Sequence, residues 1–273
     1  MTLVQIGALA VLGSCTGFAA GLLGIGGGMI LVPFLTFLFT MYGFPTEVIV
    51  HVAIATSMAT ILFTSLSSVR AHHKRGAVRW DIVIALAPGI LAGGLIGGGK
   101  VFAILKTAWL SFIFAGFVGF SAYQMLMNKK PQPSRTLPGK AGMFGVGSFI
   151  GFLSSLVGAG GGFISVPFMT WCNVAMHNAV ATSAALGFPI ALASAIGYIV
   201  SGYGNPNLPS GSIGYVYTPA LASIAIASVL TAPLGAKVAH QLNVAQLKKV
   251  FALVLFCLAA YMLNKGLTNL GLY

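Results

Sequence analysis

The chain has 273 residues, of which 58% are hydrophobic and only 6% charged. Soluble domains carry roughly a quarter charged residues, so that class is excluded, and the apolar runs lack the alternation of an outer-membrane barrel. The 14 Lys and Arg face only two acids, Glu47 and Asp81, for a net charge of +12; set between apolar spans, these cations read as topology signals rather than a nucleic-acid face, and the shortage of acids argues for an anionic cargo over a cationic one.

The first apolar run, Leu3 to Phe39, is too long for one span and contains Gly24-Ile-Gly-Gly-Gly28 followed by Val32-Pro33-Phe34. Triple glycine and proline interrupt helices, so the run predicts two short or half-crossing helices joined at the glycines. No charged leader precedes it, and residues 1–20 read as part of the membrane domain. After a loop at Met41–Pro45 comes a span from Thr46 to Val69, closed by Arg70, His72, His73, Lys74, Arg75 and Arg79. A span from Ile82 to Gly99, bent by Pro88 and its glycines, precedes one from Thr107 to Met127. Residues 129–140, rich in proline and cations, form the linker between two domains, 1–128 and 141–273.

The pattern then restarts. A broken segment from Met143 to Val174 carries Gly158-Ala-Gly-Gly-Gly162 and Val166-Pro167-Phe168, a copy of the first motif displaced by 134 positions. The span from His177 to Val200 opens His177-Asn-Ala-Val-Ala-Thr-Ser183, repeating His51-Val-Ala-Ile-Ala-Thr-Ser57 at a displacement of 126. An uncharged loop, Ser201–Gly214, leads to a span from Tyr215 to Ala236, a basic loop with Lys237, His240, Lys248 and Lys249, and a last span from Val250 to Leu263.

Charge sets the orientation of the two copies. The first half is basic after its second motif, the second half one loop later. With basic loops inside, the halves sit upside down relative to each other. Each broken segment then returns to its starting side, and both termini lie outside. The expected fold is an all-α polytopic membrane protein of two inverted-topology repeats, each with one broken or hairpin segment plus three transmembrane helices.

Irregular backbone at membrane depth survives only where protein or a polar cavity satisfies it, and paired interruptions of this kind point to a transporter's binding site. Close helix packing is the bland alternative for a glycine cluster, but the doubling favours a site. Gly24, Gly26, Gly27 and Gly28, with Gly158, Gly160, Gly161 and Gly162, would bare N–H groups to an anion at helix N-termini, with Pro33 and Pro167 breaking the helices. His51 and His177 are candidates for substrate or proton contact, level with a structural role. Thr56, Ser57, Thr182 and Ser183 would donate to an oxyanion, or bond back to their own helices. His72 and His73 read as headgroup anchors, Trp80, Trp109 and Trp171 as an interfacial belt, and the isolated Cys15, Cys172 and Cys257 as packing residues. No metal or cofactor spacing occurs.

On the two glycine motifs and the two His-x-Ala-x-Ala-Thr-Ser stretches, the chain resembles the sulfite exporter TauE/SafE family along its whole length. That resemblance implies a permease of the cytoplasmic membrane for sulfur-containing anions such as sulfite, sulfoacetate or other organosulfonates. The expected partners are that anion and the bilayer, with protons as candidate coupling ion through His51 or His177. An anion channel or uptake permease is the alternative; an intramembrane enzyme would need a nucleophile–base pair or metal set that the spacing does not supply.

Overall fold

The structure is a computed structural model that describes residues 2–23, 27–127, 135–239 and 244–271. Five helices form the first half: α1 (Leu3–Leu23), α2 (Gly28–Met41), α3 (Ile49–His73), α4 (Trp80–Ile96) and α5 (Thr107–Met127). Five more follow: α6 (Lys140–Val157), α7 (Gly162–Trp171), α8 (Met176–Gly202), α9 (Thr218–Ala239) and α10 (Val244–Asn269). Beyond α4 the chain passes a wide turn at Gly97–Val101, kinked at Gly99, before one more helical turn at Phe102–Ile104. A small antiparallel ladder, β1 (Ser212–Ile213) with β2 (Val216–Tyr217), precedes α9. Among the described residues, 8 helices are long and apolar enough to cross a membrane. The protein is an all-helical, multi-pass membrane protein apart from that ladder.

The apolar runs are cut as expected, but unequally. Rather than two short helices, each broken segment has one full-length arm and one short arm. The first arms are 21 and 18 residues, and the second arms, α2 and α7, are 14 and 10. At 1.5 Å per residue the short arms reach only about 21 and 15 Å, less than the roughly 30 Å hydrocarbon core.

Pro33 and Pro167 do not make the breaks. They lie inside α2 and α7, five residues past each helix start, and the helices continue through them. The glycines upstream break the helix, because Gly27 (φ 67°) and Gly161 (φ 74°) take the left-handed conformation that side chains resist. Each proline removes a single helical hydrogen bond, which the surrounding packing tolerates.

α3 and α8 form the centre. In their membrane windows 83% and 67% of residues are buried, against 28% for α1. They run antiparallel. The start of α8 meets the end of α3, where Asn178 Nδ2 donates to the Ala77 carbonyl at 2.9 Å. The end of α8 meets the start of α3, where the Tyr215 ring, whose N–H bonds the Tyr198 carbonyl at 3.2 Å, stacks on His51 at 5.2 Å. α5 and α10 are antiparallel too, Gly119 lying against Ala259 and Gly266 against Phe112.

Two further pairs cross between the halves. A Cβ on Gly13 or Gly17 of α1 would lie 2.8 or 2.4 Å from the backbone of Ile224 or Ser228 in α9. Gly89 and Gly93 of α4 approach Phe144 and Ser148 of α6 as closely, at 2.1 and 2.0 Å. Sequence number rises together in both partners, so α1 runs parallel to α9 and α4 parallel to α6. In a bilayer, where apolar burial between helices supplies no drive, such backbone contact across small residues is what holds helices together.

Candidate anion-binding site

The two helix breaks meet in the interior. A Cβ on Gly28 would sit 2.2 Å from the Gly158 carbonyl oxygen and 3.3 Å from the Cα of Ala159. Ser57 Oγ donates to that same carbonyl at 3.3 Å. Gly28, Gly158 and Ser57 are thus brought together around one point, with Gly27 and Gly161 at the adjoining helix starts. Gly24 and Gly26 lie outside the described residues.

From this junction α2 runs towards one end of the molecule and α7 towards the other. Beyond α2, Phe44 stacks on Phe39 at 4.7 Å and meets the edge of Tyr217 at 5.1 Å. At the end of α7, Trp171 lies under the Arg135 guanidinium at 4.7 Å. This second end also carries Lys74, Arg75 and Arg79, so linker and basic loop share it.

A cavity of about 130 Å³ opens beside α7 towards the basic end. One water needs only about 10–15 Å³ of such space, so a small oxyanion fits. Its inner wall is Gly160, Gly162 and Ser183, and its outer wall includes Ser67, Ser68 and His72 from α3 and Arg75 from the turn after it. Among the described residues, the N–H groups of Gly160, Gly161 and Gly162 meet no acceptor. They stand at the N-terminus of α7, where unpaired donors and the helix dipole present positive partial charge.

The threonines of the repeated motif act across the halves. Thr56 Oγ1 accepts the Tyr217 N–H at 3.1 Å, and Thr182 Oγ1 accepts the Arg79 N–H at 3.0 Å. Each donor precedes the helix that follows the other half's central helix, so the two bonds are reciprocal. Ser183 Oγ accepts a hydrogen bond from the buried Ser165 Oγ at 2.8 Å.

Neither motif histidine lines the cavity. His51 is buried, its Nε2–H directed between the carbonyls of Phe102 at 3.1 Å and Leu105 at 2.9 Å, with Nδ1 3.3 Å from Thr107 Oγ1. It ties α3 to the turn between α4 and α5. His177 is exposed at the start of α8. The histidine at the cavity is His72, which sequence reasoning set at the headgroups along with Arg75. The signal was present: Ser65, Ser68, His72 and Arg75 recur every three or four residues, the spacing of one helix face. His73 does stay at the surface, accepting a bond from Trp80 Nε1 at 3.1 Å.

A twice-broken, backbone-lined cavity inside a multi-pass bundle is a transporter's arrangement, and the comparisons agree. The family described as Sulfite exporter TauE/SafE matches residues 9–262. The chain belongs to that family. TauE/SafE proteins are transporters, not enzymes, and the relatives bear similar names. A probable membrane transporter protein of Haemophilus influenzae is 38% identical over 257 residues, covering 93% of this chain and 97% of its own length. One of Methanocaldococcus jannaschii is 28% identical, covering 93% and 94%. One of Bacillus subtilis is 29% identical, covering 68% and 76%. No solved structure matches the chain.

Proposed function

We propose that this TauE/SafE protein is a secondary carrier that exports a small sulfur-containing anion, sulfite or an organosulfonate such as sulfoacetate, by alternating access. The observation that carries the reading is the run of unpaired N–H groups at Gly160–Gly162, of which Gly160 and Gly162 line a cavity open to the basic end. Backbone donors at a helix N-terminus bind an oxyanion without a fixed full charge, so the ion can be held and then released. The pre-existing cavity supplies one access state; closure there and opening at the other end would supply the second.

Two inverted repeats are the machinery for that exchange. The antiparallel packing of α3 on α8 and of α5 on α10 supports them, as do the exchanged pairs α1–α9 and α4–α6. In a same-way-up duplication the equivalent helices α3 and α8 would run parallel. Cysteines placed at Lys74 and at Asn205 should label from opposite sides of the membrane; labelling from one side would reject the inversion.

Function is tested by counterflow in proteoliposomes. Unlabelled sulfite or sulfoacetate inside should accelerate uptake of labelled sulfite. An anion channel would pass current and show no such trans-stimulation, and absence of both fluxes would sink the anion reading. Proton coupling through His51 or His177 predicts that His51→Gln with His177→Gln flattens the pH profile of flux. The carbonyl bonds of His51 favour a structural role instead, with an unchanged profile and a loss of stability.

A further inference from the structure

One wall of the cavity is a single face of α3 and its C-cap turn. Ile61, Thr64 with its neighbour Ser65, Ser68, His72 and Arg75 follow one another at three- or four-residue steps and all line it. At 1.5 Å per residue its helical part, Ile61 to His72, extends about 17 Å, from the depth of the α7 N-terminus towards the basic end. Below His72 its polar groups are hydroxyls.

We infer that this face is a one-sided selection track for small oxyanions. Arg75 and His72 draw the anion in from the basic end, and the hydroxyls below them pass it to the Gly160–Gly162 N–H groups. The inference rests on the transport reading and adds to it the residues that choose the charge and the side from which they do so. Unlike a point charge, the Arg75 guanidinium offers a fork of donors to a planar or tetrahedral oxyanion. Thr64 Oγ1 now donates to the Ile61 carbonyl at 3.3 Å and Ser65 Oγ to the Leu62 carbonyl at 3.1 Å. Both carbonyls also accept helical N–H bonds, so either hydroxyl can rotate to an anion and orphan nothing.

Among the described residues, the other end of the central helix pair has no such track. At the displacement of 126, Thr64, Ser65, His72 and Arg75 are replaced by Ile190, Ala191, Tyr198 and Ser201. Ile190, Ala191 and Tyr198 are fully buried, and Ser201 Oγ is turned to the Gly98 carbonyl at 3.1 Å. Among the described residues, charge selection is therefore built into one access route.

A sulfonated thiol reagent tests this without a known substrate. Ser68→Cys is exposed, in inside-out and right-side-out vesicles of the full-length protein, to sulfonatoethyl methanethiosulfonate and to its trimethylammonium analogue. Unsubstituted protein supplies the background from Cys15, Cys172 and Cys257. Focusing by a charged cleft enriches counter-ions tenfold or more, so the anionic reagent should react about tenfold faster than the cationic one from the basic side. Adding Arg75→Gln should remove most of that preference, and Arg75→Lys should keep it. Ser65→Cys gives the same readout deeper in the track should Ser68→Cys fold poorly. Equal rates for the two reagents, preference for the cation, or equal labelling from both sides would overturn the track. Failure of sulfite counterflow with the anion preference intact would overturn the transported species and leave the track standing.

Discussion

The two ends of the central helix pair use the same backbone plan and finish it differently. At the basic end the short loop Lys74–Arg79 turns directly from α3 into α4, and His72 and Arg75 line the cavity. At the opposite end the longer loop Tyr203–Tyr217 folds back into the bundle. There Tyr198, the counterpart of His72, is fully buried, its hydroxyl donating to the Ser155 carbonyl. Phe102 packs on Tyr198 at 4.5 Å and on Tyr215 at 5.5 Å, while Tyr217 meets Phe39 at 5.7 Å. Aromatic pairs contribute about 0.5–1.5 kcal/mol each beyond their buried area, so the filled end carries a barrier the open end lacks. Access is decided by what fills the vestibule, not by the helices that frame it.

The largest predicted effect separates the two counterparts. Tyr198→Ala should destabilise by about 3–5 kcal/mol through the cavity it leaves. His72→Ala, at a partly exposed position on the cavity wall, should cost no more than about 0.5 kcal/mol. Thermal unfolding of the purified protein in detergent measures both, and similar losses at the two positions would remove the distinction between filled and open ends.

Next in size is a test of what the ends share. Gly27→Ala and Gly161→Ala both force a side chain into left-handed backbone. The Gly161 Cβ would also meet Ile190 Cδ1 at 2.5 Å, whereas that of Gly27 would meet Thr16 O at 3.1 Å. Strain plus overpacking predicts losses of about 2–4 kcal/mol for Gly161→Ala and about 1–2 for Gly27→Ala. A neutral result at either glycine would mean that the break there is not conformationally required.

What the sequence revealed follows the same division. The breaks were legible because glycine acts locally: a triple glycine interrupts a helix whatever surrounds it, and a doubled motif marks two such places. The prolines misled because a helix's tolerance of proline depends on its neighbours. The filled end was hidden, since nothing in an uncharged Gly/Pro/Asn-rich loop states that Tyr215 and Tyr217 will turn inward. The repeat likewise suggested one environment for His51 and His177. It could not show that carbonyls beyond α4 would enclose the first while the second stayed exposed. His72 and Arg75 were read as headgroup anchors because cations at a helix end usually are; only the cavity behind them separates the two roles.

The reciprocal threonine bonds sharpen the comparison at smaller amplitude. Thr56→Val strands the N–H of the buried Tyr217, which should cost about 1–3 kcal/mol. Thr182→Val strands the N–H of Arg79, an exposed residue that water can reach, and should cost less than about 1 kcal/mol. The sites share no partner, so the double variant should be additive within about 0.5 kcal/mol in the same unfolding assay. Marked non-additivity would indicate that the two ends are already coupled through α3 and α8 in the resting state.

The smallest effect concerns the basic end alone. Asp81 holds Arg79 through two contacts, 2.8 Å from Nε and 2.6 Å from Nη2, with both side chains about half exposed. An exposed pair of this kind contributes about 0–1 kcal/mol, so Asp81→Asn should barely move the unfolding midpoint. Its consequence is electrostatic. Removing one of the chain's two acids leaves the Arg79 charge uncompensated near the open vestibule and raises the positive field there. Labelling of Ser68→Cys by the anionic reagent should therefore quicken by less than about threefold at low salt and return to the parent rate near 0.5 M salt, where the Debye length falls to a few ångströms. No change from the opposite side is expected, because the aromatic filling and the thickness of the bundle separate it from this charge. An acceleration that survived high salt would instead mean that the Arg79–Asp81 pair shapes the loop, so that the width of the opening, rather than its field, sets the rate.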